Sequence, residues 1–319
     1  MKRHICLLFA MFLSIAVHAQ NGAVPDSSLW QPDESPVFAR YGEDSLAMDV
    51  YYPHRVNDAK CRCVVFIYGG GFMNDNQRSS LTREFCRTLA ENDGIVAVAI
   101  DYRLGLKDRK FKGKLDMIKP LENSILMAVE DCSKAVAYIL ENAMHMRVDP
   151  QCIVLCGSSA GAITALQSDY ELCRRSQYVA ALPEDFHFAG IVSFAGAVFS
   201  REGKAEYKLH APAPTMMLHG TKDNLVTYDR IAFFRTRFSG SNDLIESFKK
   251  GHYPHLMIRF EGEGHGVSMR MMDNYGQFMW FMDNMVGKRR NYEIDMTWND
   301  HDHVRASWDT IGSGMYFGN

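Results

Sequence analysis

Ser159 lies at the centre of Gly157-Ser158-Ser159-Ala160-Gly161, directly after the apolar run Cys152-Ile153-Val154-Leu155-Cys156 and before the helix-like stretch Ala160–Gln167. At such a sharp strand-to-helix turn a serine hydroxyl stands clear of the backbone, where it can attack an electrophilic carbonyl once a base takes its proton. The pentapeptide alone carries little weight. Glycine and serine are each near 7% of residues, so roughly one chain in ten of this length contains it by chance. Its weight comes from what accompanies it.

A base for Ser159 is offered by His265, in the glycine-rich loop Glu261-Gly262-Glu263-Gly264-His265-Gly266. An acid to orient that base is offered by Asp223, at the end of His219-Gly220-Thr221-Lys222-Asp223 after the short apolar strand Thr215–Leu218; Asp229, Glu261 and Glu263 are competing carboxylates nearby in sequence. Upstream, the apolar run Cys63–Tyr68 enters Gly69-Gly70-Gly71-Phe72, whose unhindered amides can point at a developing oxyanion. The expected donors are the N–H groups of Gly70, Gly71 and Ala160, the last being the residue after the nucleophile. Tyr68 and Phe72 are expected to wall the acyl pocket, and Asp101-Tyr102-Arg103 to make structural hydrogen bonds behind it.

These residues need elements to hold them. Strand-like segments cover Cys63–Tyr68, Gly94–Asp101, Cys152–Cys156, Ala189–Phe194, Thr215–Leu218 and Leu256–Phe260, with Leu46–Tyr52 as an antiparallel edge strand. Helix-like segments cover Arg78–Glu91, Pro120–Asn142, Ala160–Glu171, Tyr228–Phe238 and Met269–Met285. Strands that are continuously apolar, alternating with helices, predict an α/β fold: a mostly parallel central sheet with helices on both faces. The ligand crevice then falls at the carboxyl ends of the strands, where each proposed catalytic residue lies. Gly196–Pro214 reads as a lid or crevice wall, or equally as an ordinary surface connection.

The chain order Ser159, Asp223, His265 and the glycine loop resemble those of the α/β-hydrolases of the carboxylesterase type, close to lipases and esterases with a His-Gly-Gly-Gly oxyanion loop. The similarity spans residues 35–287, and includes Asp101-Tyr102-Arg103-Leu104 and Val148-Asp149-Pro150. Family members carry His before the three glycines. Here Tyr68 takes that place and can brace the loop through its hydroxyl. The resemblance implies a serine hydrolase without cofactor or metal, in which Asp223 is the acid. Secreted bacterial enzymes that strip acyl groups from plant polysaccharide share this layout, so acetyl or feruloyl esters are the implied substrates. A lipase or peptidase of the same fold and a non-catalytic binding protein are the alternatives. The chain has no room for the propeller of prolyl-oligopeptidases, and non-catalytic relatives usually lack a triad member.

The 319 residues, 47% of them hydrophobic, suffice for one large core. The net charge of -3, with no basic run carrying interleaved aromatics, gives no reason to expect a nucleic-acid partner. Lys2-Arg3-His4 followed by apolar Ile5–Val17 and the small-residue site Val17-His18-Ala19 predict a signal peptide over 1–19, a mature start near Gln20, and secretion or a periplasmic location. No stable membrane insertion is expected after cleavage, because the apolar stretch falls short of the roughly 20 residues of a spanning helix. Absence of any Asn-x-Ser/Thr acceptor favours a bacterial secretory route.

Residues 20–35 read as a flexible lead-in, 36–287 as the catalytic domain and 288–319 as a polar tail with scattered aromatics and no assigned role. Cys61, Cys63, Cys86, Cys132, Cys152, Cys156 and Cys173 follow the leader. Their odd number and spread argue for small core residues rather than a disulfide scaffold. His301 and His303 read as a solvated polar cluster rather than a metal site, and Met269, Met271 and Met272 as core filler.

Overall fold

The computed structural model describes residues 30–299 apart from 55–59, 76 and 208. The leader over 1–19, most of the lead-in, and His301 and His303 lie outside the described residues. Along the chain these form β1 (Val37–Tyr41), β2 (Asp44–Tyr51), β3 (Cys61–Ile67), α1 (Ser80–Asp93), β4 (Val96–Ile100), α2 (Lys114–Glu141), β5 (Val148–Ser158), α3 (Ala160–Leu172), β6 (Gly190–Phe194), β7 (Ala197–Ser200), β8 (Thr215–Gly220), β9 (Arg230–Phe233), β10 (Thr236–Gly240), α4 (Ser241–Gly251), β11 (His255–Phe260), α5 (Tyr275–Phe281) and β12 (Glu293–Trp298).

The central sheet runs in the order β1-β2-β4-β3-β5-β6-β8-β11-β12. Pairings from β4 through β12 are parallel, and only β1 with β2 and β2 with β4 are antiparallel. Every residue of β4, β6 and β8 is buried, as continuous apolar runs covered on both faces require. α1 and α5 meet through the Phe85 and Phe278 rings, with centroids 5.4 Å apart. α3 packs against α2, and its Tyr170 reaches Tyr207, which in turn meets Phe248 of α4.

From β3 the chain steps outward to β4, then crosses back to begin β5 on the other side of β3. Connections diverge in this way at a topological switch point, which opens a crevice beyond the strands' carboxyl ends. The glycine loop leaves β3 there and Ser159 leaves β5.

Several expectations are corrected. Leu46–Tyr52 is antiparallel but not at the edge, because β1 pairs outside it. Tyr228–Phe238 is no helix: β9 and β10 form a hairpin that joins β7 in a second, three-stranded sheet. Its Ile231, Phe233 and Phe234 are exposed, so their side chains meet neither the core nor a helix-style partner face. Met269–Met285 is broken into a short turn over His265–Met269, α5, and a wider π-type turn over Met282–Gly287.

The domain extends beyond 36–287 at both ends. In the described part of the lead-in, Asp33 pairs with Arg87 and accepts the Tyr52 amide at 2.7 Å, and the Ser35 hydroxyl donates to Asp49 at 2.6 Å. In the tail, β12 pairs in parallel with β11 over its whole length. Among the described residues no helix is long and apolar enough to cross a membrane. No disulfide joins the described cysteines.

Candidate active site

Ser159 sits between strand and helix with φ 53° and ψ -116°, a conformation that costs a non-glycine residue free energy and is held only where its surroundings over-determine it. The surroundings do so through glycine. A Cβ on Gly157 would stand 2.2 Å from the Gly161 carbonyl oxygen, and one on Gly161 would stand 1.9 Å from the Ile67 carbonyl oxygen. Both glycines of the pentapeptide therefore let α3 start hard against β3 and β5. The Ser159 amide is anchored on the Phe194 carbonyl at 2.9 Å, which ties the turn to β6 as well.

The parallel register of β8 with β11 pairs Gly220 with Phe260, so the loops bearing Asp223 and His265 leave the sheet side by side. The structure brings the three groups together. Ser159 Oγ lies 2.8 Å from His265 Nε2, and His265 Nδ1 lies 2.7 Å from Asp223 Oδ2. Asp223 is buried, and its other oxygen accepts the Leu225 and Val226 amides at 2.9 and 3.0 Å. Burial would raise its pKa, but hydrogen bonds from His219 and His265 outweigh that and hold the carboxyl well below the usual range. An imidazole whose Nδ1–H is committed to a permanent carboxylate presents Nε2 as an acceptor to the serine proton.

The competing carboxylates are engaged elsewhere or turned outward. Glu263 pairs with Arg270, Asp229 is exposed beside Arg230, and Glu261 is exposed.

Across the cleft, Gly70 and Gly71 have φ 145° and 63°, backbone that side chains resist. A Cβ on Gly69 would come within 3.1 Å of the Ser159 Cβ, so the loop abuts Ser159. Ala160 opens α3, where the first N–H groups have no intrahelical acceptor and are available to an anion. Tyr68 donates its hydroxyl to Asp101 Oδ1 at 3.0 Å, and its ring stacks on Tyr102 with centroids 4.6 Å apart. The Tyr102 hydroxyl returns a bond to the Tyr68 carbonyl at 3.0 Å. Burial, with Tyr102 and Asp101 alongside, pushes the Tyr68 phenol pKa far up, so it stays a neutral donor.

A cavity of about 590 Å³ joins these groups; Tyr68, Gly70, Gly71, Ser159 and His265 all line it. Phe72 does not. The left-handed backbone at Gly71 and Phe72 turns the chain inward and puts that ring in the core, edge-on to Tyr102. Nor does any described residue of 196–214 line the cavity; β7 is held on α3 by Gln167, whose side chain bonds both the amide and the carbonyl of Phe199.

The walls come also from the first turn of α1 (Ser79–Thr82), Leu225, Met269 and Met271; Met271 fills the core as expected and lines the cavity as well, while Met269 is exposed. The Ser79 N-cap in front of α1 is a legible signal for a helix start, but not for its facing Ser159.

Residues 48–198 match the model of a family described as BD-FAE. A medium-chain fatty acyl-CoA hydrolase precursor from Anas platyrhynchos is 30% identical over 129 residues, 38% of this chain and 20% of that protein. An acetylcholinesterase from Danio rerio is 28% identical over 138 residues, 43% of this chain and 20% of that protein. The matched region is thus about a fifth of the length of these curated relatives. Among solved structures, a thermophilic esterase from Thermogutta terrifontis superposes with a TM-score of 0.58 at 22% identity, over 79% of this chain and 92% of that one.

With the sheet order and elbow above, these findings make the fold that of an α/β-hydrolase. The resemblance to esterases and lipases expected from the sequence is borne out.

Proposed function

We propose that this chain is a serine esterase that hydrolyses carboxylic esters through an acyl-enzyme. One observation carries the reading: an unbroken hydrogen-bonded line from Ser159 through His265 to Asp223, ending at a cavity edged by a glycine loop. In the first half-reaction Ser159 Oγ attacks the ester carbonyl as its proton passes to His265 Nε2. Negative charge on the carbonyl oxygen is met by the amides of Gly70, Gly71 and Ala160, and the imidazolium returns the proton to the leaving alcohol. Water, deprotonated by the same imidazole, then cleaves the acyl-enzyme, releasing the acid and restoring Ser159.

The matched relatives are themselves described as a fatty acyl-CoA hydrolase and an acetylcholinesterase, and the structural neighbour as an esterase, which supports acyl transfer from an ester-like substrate. The natural substrate we propose is an acetyl or feruloyl ester on plant polysaccharide. The proposed location is outside the cell or in the periplasm, on the strength of the leader-like residues 1–19. Presence of all three triad side chains supports catalysis over a binding role.

Purified protein and its Ser159→Ala variant, assayed side by side on p-nitrophenyl acetate, test the reading. Turnover should fall by several orders of magnitude in the variant; equal rates would reject it. Acetylated xylan and feruloylated arabinoxylan then resolve the acyl group.

A further inference from the structure

Asp223 is served by two imidazoles. His265 Nδ1 meets its Oδ2 at 2.7 Å, and His219 Nε2 meets the same oxygen at 3.2 Å. His219 is the penultimate residue of β8 and is completely buried. Its Nε2 also lies 3.1 Å from the Val226 carbonyl, while its Nδ1 lies 2.8 Å from Ser241 Oγ at the start of α4. Two acceptors at Nε2 require that nitrogen to carry the proton, which leaves Nδ1 to accept the Ser241 hydroxyl. Tyr228 closes the far side, edge-on with centroids 5.6 Å apart. The Val226 amide donates to Asp223 Oδ1, so acid, Val226 and His219 form a closed ring of hydrogen bonds.

We propose that His219 is a positioning residue for the triad: its Nε2–H fixes the rotation of the Asp223 carboxylate so that Oδ2 faces His265. The backbone amides reach only Oδ1 and leave the plane of the carboxylate to be set by whatever bonds Oδ2. His265 cannot set it alone, because the His265 ring must itself be oriented by that oxygen. His219, anchored by Ser241 and packed in the core, supplies the fixed reference. This rests on the esterase reading for its kinetic consequence but not for its geometry.

The test compares His219→Leu, which fills the space without a donor, with His219→Gln, which keeps an N–H near the Nε2 position. His219→Leu should lower kcat by about 10- to 100-fold with KM changed less than about twofold, as a displaced catalytic group does. His219→Gln should keep most of the rate. Combined with Asp223→Ala, His219→Leu should cost nothing further; a multiplicative loss would mean that it acts by another route and would overturn the proposal.

A readout free of substrate is the deshielded proton between His265 Nδ1 and Asp223 in the NMR spectrum. It should persist in His219→Gln and broaden or vanish in His219→Leu. Wild-type kcat together with an unchanged resonance in His219→Leu would overturn the proposal. A responsive resonance in a protein that hydrolyses no ester would fault the esterase reading alone. If His219→Leu does not fold, Ser241→Ala decides: it releases Nδ1 and should lower kcat several-fold, and an unchanged rate and resonance there would equally overturn the proposal.

Discussion

Gly161 on α3 and Ile67 on β3 touch backbone to backbone: a methyl group added at Gly161 would overlap the Ile67 carbonyl oxygen, at 1.9 Å. Neither partner is a side-chain tip that can rotate away, so relief requires the helix and the strand to separate. Ser159 lies two residues from one and Gly69 two residues from the other.

Gly161→Ala should therefore damage both stability and rate. Overpacking of this kind costs about 1–3 kcal/mol, and a nucleophile shifted by an ångström loses about 100-fold in kcat. Thermal unfolding and steady-state kinetics on one preparation check both. An unchanged melting temperature would contradict the contact.

Gly70→Val tests the loop. At φ 145° a β-branched residue is strained whatever space surrounds it, so the amide is expected to turn away from the cleft. Loss of one oxyanion donor lowers kcat by about 10²–10³, with KM little affected. Circular dichroism verifies that the fold survives.

Tyr68→Phe removes the hydroxyl that donates to Asp101. Burial, countered by this bond and by the Tyr102 amide, already raises the pKa of that carboxyl. Stability should fall by about 1–3 kcal/mol, the worth of a hydrogen bond to a half-buried carboxylate that still keeps the Tyr102 amide. Urea unfolding at neutral pH measures it.

Asp169 gives a pH dependence whose sign is fixed. It is buried on α3 with its Oδ2 bonded to the Ala213 amide at 3.1 Å, and burial pushes its pKa from 3.8 to about 7 despite that bond. Between those values the unfolded chain has lost the proton that the folded chain keeps. The folded state thus binds more protons, and stability falls as pH rises through the window, by on the order of 1.4 kcal/mol per unit. Asp169→Asn lacks this slope. The variant should gain on the wild type from pH 5 to pH 8 in urea titrations, and parallel curves would refute the assignment.

The sequence made the interior of this fold legible and its margins obscure, for one physical reason. Cys63–Ile67 of β3, Ile153–Cys156 of β5, and β6, β8 and most of β11 are buried on both faces and read as largely apolar runs, which place Ser159, Asp223 and His265 at strand ends. β1 and β12 are half-exposed edge strands of mixed polarity, and they carry no such run. The β9–β10 hairpin misleads because Tyr228, Ile231 and Ala232 fall near a helical repeat, while the β7 partner of β10 lies about forty residues upstream. His219 was visible as part of a turn, but a second ligand for the acid emerges only when β8, the Val226 loop and α4 meet. Phe72 was misplaced because two successive left-handed residues reverse the chain after the glycines, which a residue string does not announce.

β12 has a consequence for how the protein can be handled. Its six residues shield the outer flank of β11, and its Asp295 is clasped by Lys249 and Arg259. A stop codon placed after 287 would still encode Ser159, Asp223 and His265, yet it would leave β11, buried at every residue except Arg259, with a bare row of peptide groups. Such a row is a template for another molecule's strand. The shortened polypeptide should accumulate as insoluble material rather than as a smaller folded protein.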